Sequence, residues 1–243
     1  MSVPLWTAEL ARGFWQQARE PEPFPRSLRR AIARAVSLSI VLLPGLSVRA
    51  ALKWLQNSGL VCEMPGEDRP LRACLVARGG HGVALIDGSD AENEQRFSIA
   101  HELAHFLRDY WSLRRCILLR LGAEALQVLD GERPPTTQER LHALLRDVPL
   151  GFHLHLMERD DEGRPVSAQV EQAEEDADRL AYELLAPAEH VLGNDCPRTK
   201  QELERKLREF YGLPSVQASR YAELLLPPLK TDPLLLRLRS VLQ

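Results

Sequence analysis

At 243 residues, with 44% hydrophobic and 27% charged side chains, the chain is long enough to bury a sizeable core and is composed like an ordinary globular protein. Its 31 basic and 34 acidic residues give a formal net charge of −3, which excludes a global field that would draw in nucleic acid or an anionic membrane. The four cysteines, Cys62, Cys74, Cys116 and Cys196, form no C-x-x-C pair, so neither a thiolate metal site nor a disulfide framework is expected, and a reducing, cytoplasmic setting is.

In chain order, a first helix is predicted over 7–19, closed by Pro21, Pro23 and Pro25. The start carries no basic head followed by an apolar stretch, and so does not read as a secretory signal. From Arg26, the apolar positions Leu28, Ile32, Ala35 and Val36 recur at helical spacing. Arg29, Arg30 and Arg34 form the wet face, so direct nucleic-acid binding is not expected. Pro44-Gly45 ends this second helix. The most apolar stretch, 35–46, is interrupted by Ser37, Ser39 and Pro44 and is too short to span a bilayer. Ser47 is placed to cap a third helix with Val48, Ala51, Leu52 and Leu55 on its apolar face. Residues 1–58 thus read as a helical subdomain.

Three strand-length apolar segments follow, 60–64, 71–77 and 83–86, the last two joined by a glycine turn over 79–82. They predict a small antiparallel sheet of about three strands. Ser89 and Glu92 have capping-box spacing ahead of a helix over 91–110. Polar breaks at 131–137 and 160–165 precede a second strong helix over 169–185, stopped by Pro187. Two further helices meet at Tyr211-Gly212-Leu213-Pro214. The expected division is 1–58, a main domain 59–196, and a helical end 197–243.

Within the helix over 91–110 stands His101-Glu102-Leu103-Ala104-His105, an H-E-x-x-H motif. Histidines at i and i+4 lie one turn apart on one helix face, so both rings can point at a single tetrahedral ion, most simply Zn²⁺. Glu102 is placed to take a proton from the attacking water, as general base. A third protein ligand is required. The helix over 169–185 offers Glu174 as that ligand and, one turn on, Asp178 to accept the spare ring N–H of a ligating histidine. Glu175 and Asp176 are the nearest competitors and point to other faces, while the bland alternative is an exposed acidic helix face. His153 and His155 alternate with apolar residues as in a strand, so both face one side. They are candidates to steady an oxyanion, against a plainer role as edge-strand surface groups.

The run RFSIAHELAHF at 96–106, followed by E-x-x-A-D-x-x-A-x-x-L-L-x-P at 174–187, resembles the ImmA/IrrE family of metallopeptidases. The resemblance covers about residues 45–190. It implies an α+β, mostly helical, zincin-like fold with the small sheet packed on the active-site helix. It also implies an intracellular zinc endopeptidase that cleaves a helix-turn-helix transcriptional repressor, relieving repression of mobile-element or stress-response genes. Residue by residue, it places Zn²⁺ on His101, His105 and Glu174, and the catalytic base at Glu102. Asp178 and Leu180 stand where members often have Asn and an aromatic. The 68 residues between His105 and Glu174 imply an insertion near 114–148, and no N-terminal helix-turn-helix is evident. The competing reading is a non-catalytic regulatory or toxin-antitoxin protein with a structural zinc, binding a protein or DNA partner.

Overall fold

A computed structural model describes residues 4–19, 23–60, 62, 64, 67–141, 150–158, 168–193 and 199–226. The fold is mixed α+β, mostly helical, with one four-stranded sheet. Helix α1 (Leu5–Ala18) and helix α2 (Leu28–Ala35) lead into strand β1 (Leu38–Leu43). Helix α3 (Val48–Asn57) follows, its first turn closed by the Ser47 hydroxyl accepting from the Ala50 N–H. Strands β2 (Leu71–Arg78) and β3 (His81–Asp87) form a hairpin around Gly79-Gly80, both at positive φ.

Helix α4 (Glu92–His105) passes without a break into a wider-wound turn over Phe106–Trp111, then into α5 (Ser112–Leu121). In the wide turn the Ser112 N–H bonds the Leu107 carbonyl five residues back, a winding that recurs at functional sites. Helices α6 (Ala123–Leu129) and α7 (Thr137–Leu141) precede strand β4 (His153–Glu158). Helix α8 (Ala168–Leu185) is followed by α9 (Ala188–Val191), α10 (Lys200–Glu209) and α11 (Ser215–Leu225). No described helix is long and apolar enough to cross a membrane.

Three expectations are corrected. The expected sheet of about three antiparallel strands is a mixed sheet of four in the order β1-β3-β2-β4, with β1 parallel to β3. Residues 38–43, expected to extend the second helix, are β1. A short apolar run containing Ile40 and Val41 and bounded by Pro44 suits a buried strand as well as a helix, and pairing with β3 decides between them. The described residues of the expected strand 60–64, namely Leu60, Cys62 and Met64, lie outside any strand. The 1–58 segment is therefore not wholly helical. The polar loop expected at 160–165, the end of the 114–148 insertion and the tail beyond Leu226 lie outside the described residues.

The sheet is apolar on both faces because it is covered on both. Cys74, Val76 and Leu85 meet Val48, Ala51 and Leu55 of α3. On the other side Ala73, Leu75, Ala84 and Ile86 join Ile99, Ala100, Leu103 and Ala104 of α4 in a core that also takes in α1, α2, α8, α10 and α11. Helix α4 is thus held between the β2–β3 hairpin and α8. Alternation along β4 sends Leu154 and Leu156 to the α3 face and Met157 to the α4 face, so His153 and His155 share the side of α4. At Gly82 a Cβ would meet the Phe106 ring at 2.8 Å and Leu38 at 2.9 Å. Gly82→Ala is expected to destabilise the fold by about 1–3 kcal/mol through this overpacking. Thermal unfolding of the variant checks it, an unchanged midpoint being the contrary result.

Candidate metal centre

The H-E-x-x-H segment lies in the most buried part of α4, with His101 and His105 each 2% exposed and Glu102 fully buried. One turn of helix separates the two rings, and their Nε2 atoms approach to 3.2 Å. Glu174, near the start of α8, brings Oε2 to 3.2 Å from His101 Nε2 and Oε1 to 3.6 Å from His105 Nε2. His155 arrives from β4, its Nε2 2.9 Å from Glu174 Oε1 and its ring stacked on His105 at 3.7 Å between centroids. One ligand atom from each of these four side chains lies within 4.8 Å of the other three.

Two independent observations fit this group to a metal ion. Four ligands at about 2.0–2.1 Å from a tetrahedral ion stand about 3.3 Å apart; four of the six separations here, 2.9–3.6 Å, lie around that value, and all six are within 4.8 Å. The second is the direction of the protons. Each histidine turns Nδ1 toward its own carboxylate: His101 to Asp178 at 2.9 Å, His105 to Asp109 at 2.7 Å, His155 to Glu102 at 2.9 Å. An ionised carboxylate can only accept, so Nδ1 is a protonated nitrogen in each ring, and the neutral form of each ring turns its Nε2 lone pair inward. With the rings neutral, three lone pairs and a carboxylate face one another, an arrangement that a metal cation, or protons in its place, relieves. The described residues could therefore hold a metal ion.

Without a cation the same site holds protons. Burial alone would lower His101, but its bonds to Asp178 and Glu174 raise it to about 10. Burial likewise opposes His155, which Glu102 and Glu174 raise to about 9. Burial would raise Glu174, and the three histidines instead hold it far below the usual carboxylate range. Both histidine shifts are upward, so their protonated forms stabilise the metal-free fold fully below the ordinary value of 6.5, and that contribution is lost as pH rises through 9 to 10. Metal uptake must displace these protons. Affinity is expected to rise with pH from 6.5 to 9, with up to about two protons released per ion at pH 7. Calorimetry in buffers of different ionisation enthalpy measures the release, and a heat independent of buffer would contradict it.

The elements that aim the ligands are themselves tied together. Arg108, in the wide turn, pairs Nε with Asp109 at 2.7 Å and donates from Nη1 to the carbonyl of Ala173, the residue before Glu174, at 2.8 Å. It thereby sets α8 in register with α4. The neighbours of Glu174 face elsewhere: Glu175 and Asp176 both pair with Arg179. Asp178→Asn keeps the shape but presents an amide to His101. Metal affinity is expected to fall about 10- to 100-fold, read by competition with a chromophoric chelator, and an unaltered affinity would remove Asp178 from the site.

No family model, curated protein or solved structure matches the chain.

The sequence-predicted residues are therefore placed by geometry alone. His101, His105, Glu174 and His155 come together, Asp178 stands behind His101, and Glu102 stands behind His155. His153 sits apart, its ring 5.9 Å from that of Tyr110 and its buried Nε2 without a hydrogen-bond partner among the described residues. Burial pushes it down to about 4, so it is neutral near pH 7. Ser89, expected to cap α4, instead donates its N–H to Asp87 and accepts from the Gly45 N–H, and the N-cap is Ala91. Asp109 is not among the sequence-predicted residues, although its i+4 spacing from His105 marks it as a partner.

Proposed function

We propose that this protein is a zinc-dependent endopeptidase of the ImmA/IrrE type, with a zincin-like arrangement of active-site helix and sheet. Its proposed substrate is a helix-turn-helix repressor in the cytoplasm. The observation that carries the reading is the carboxylate of Glu102. It is fully buried beside the cluster, with Oε2 held by His155 and Oε1 without a partner among the described residues. In a structural site Glu102 would serve only to orient His155 through Oε2, and its second oxygen, buried without a partner among the described residues, would cost stability, whereas a general base needs a free oxygen at that position.

The nitrogen-rich ligand set favours zinc over calcium or magnesium. Held by His101, His105 and Glu174, zinc would supply Lewis acidity toward a scissile carbonyl and make water more acidic. The rest falls to the chain. Glu102 accepts the proton of the attacking water and returns it to the leaving amine. Asp178 and Asp109 fix the tautomers of His101 and His105. Glu174, with its side chain 37% exposed, marks the side from which substrate reaches the centre. Among the described residues strand β4 ends the sheet beside it, so an extended peptide can be held by backbone pairing along that edge.

One observation favours the competing reading of a structural zinc in a regulatory protein. His155 Nε2 lies within ligand range and would complete a four-residue set. Both readings meet in one experiment, co-expression with a helix-turn-helix repressor encoded beside this chain and mass measurement of the products. The proposal expects two fragments whose masses add up to the repressor plus one water. An intact repressor in the presence of zinc-loaded protein would count against it and leave the structural reading.

A further inference from the structure

We infer that His155 is a latch that closes the metal centre in the resting protein and must swing away before catalysis. The inference rests on the peptidase reading and concerns how that site is regulated.

A hydrolytic zinc site keeps one coordination position open, and three protein ligands suffice to hold the ion. Here a fourth side chain, His155, comes within ligand range of the other three. His155 Nε2 is 2.9 Å from Glu174 Oε1, and its ring lies 3.7 Å from that of His105 at an interplanar angle of 23°, a contact too close for any atom to pass between. The same ring donates from Nδ1 to Glu102 Oε2 at 2.9 Å, engaging the proposed base. One imidazole therefore blocks both the vacant position and half of the base.

Three features separate His155 from the other two rings. His101 and His105 are fixed one turn apart on a buried helix. His155 rides on β4, which is paired only with β2 among the described residues. Its side chain is 11% exposed and neighbours the open flank at Glu174, against 3% for His101 and His105. The unpartnered Oε1 of Glu102 fits a site with a second state, since a permanently closed centre would satisfy both oxygens. Withdrawal of the ring would free Oε2 as well.

The test uses the full chain loaded with cobalt(II), whose visible absorption reports coordination, and azide as the probe of an open position. Wild type is expected to give a spectrum that azide leaves unchanged. His155→Ala, and His155→Asn as a shorter polar side chain, should retain cobalt and bind azide at least about tenfold more tightly. Cleavage of the repressor by these variants should rise by a similar factor. Equal azide binding by wild type and both variants would overturn the latch. Azide gated by His155 with no cleavage by any form would leave the latch standing and sink the peptidase reading. Cobalt bound as tightly after His101→Ala would overturn both.

Discussion

Glu174→Ala is expected to lower zinc affinity by about two to three orders of magnitude while leaving the fold intact. Four-ligand zinc sites bind with about 10–16 kcal/mol, so one ligand accounts for about 2.5–4 kcal/mol, and each 1.4 kcal/mol is tenfold. The fold should survive because Glu174 is 37% exposed and outside the core, whereas the α8 residues that hold the helix down, Ala177, Leu180, Ala181 and Leu184, remain. The metal-free variant should lose part of the pull that raises His101 and His155, since Glu174 bonds both rings while Asp178 still acts on His101 and Glu102 on His155. Competition with a chelator of known affinity gives the number. Affinity within a factor of about three of wild type would mean that the ligand set has been misread.

On the proposed peptidase reading, Glu102→Gln is expected to separate chemistry from binding. The substitution keeps size and an oxygen to accept from His155 Nδ1, and it leaves His101, His105 and Glu174 with their partners, so the metal should stay in place. An amide cannot take a proton from the attacking water. Loss of general-base catalysis predicts a fall in turnover of about 10²- to 10⁴-fold with metal content unchanged. Fragment formation at the wild-type rate would remove Glu102 from the mechanism. Metal loss alongside activity loss would show instead that Glu102 acts by holding the site together.

What the sequence made legible follows from the range of each interaction. His101 and His105 are readable because one helical turn fixes their relation, whatever surrounds them. Glu174 and Asp178 are readable as a pair for the same reason, though their meeting with α4 is a tertiary event that local spacing does not contain. Asp109 obeys the same i+4 rule and was equally available. His155 is different. Its bond to Glu102 spans 53 positions and depends on β4 joining β2 in one register, Leu75 opposite His155; a shift by one would turn both histidines to the α3 face. Strand β1 was hidden by its composition, since Leu38 to Leu43 suits helix and strand alike until β3 supplies a parallel partner. The cap of α4 was misjudged because Ser89 has better partners in the turn with Gly45 and Asp87 than at the helix end.

The central claim is that side chains from α4, β4 and α8 surround one ion. Native mass spectrometry of the freshly purified chain, read beside a His101→Ala/His105→Ala double variant, addresses it directly. The account predicts a mass increment of one zinc in the wild-type chain and none in the variant. A metal-free wild type after growth in zinc-replete medium, or a variant that carries the same increment, would contradict it.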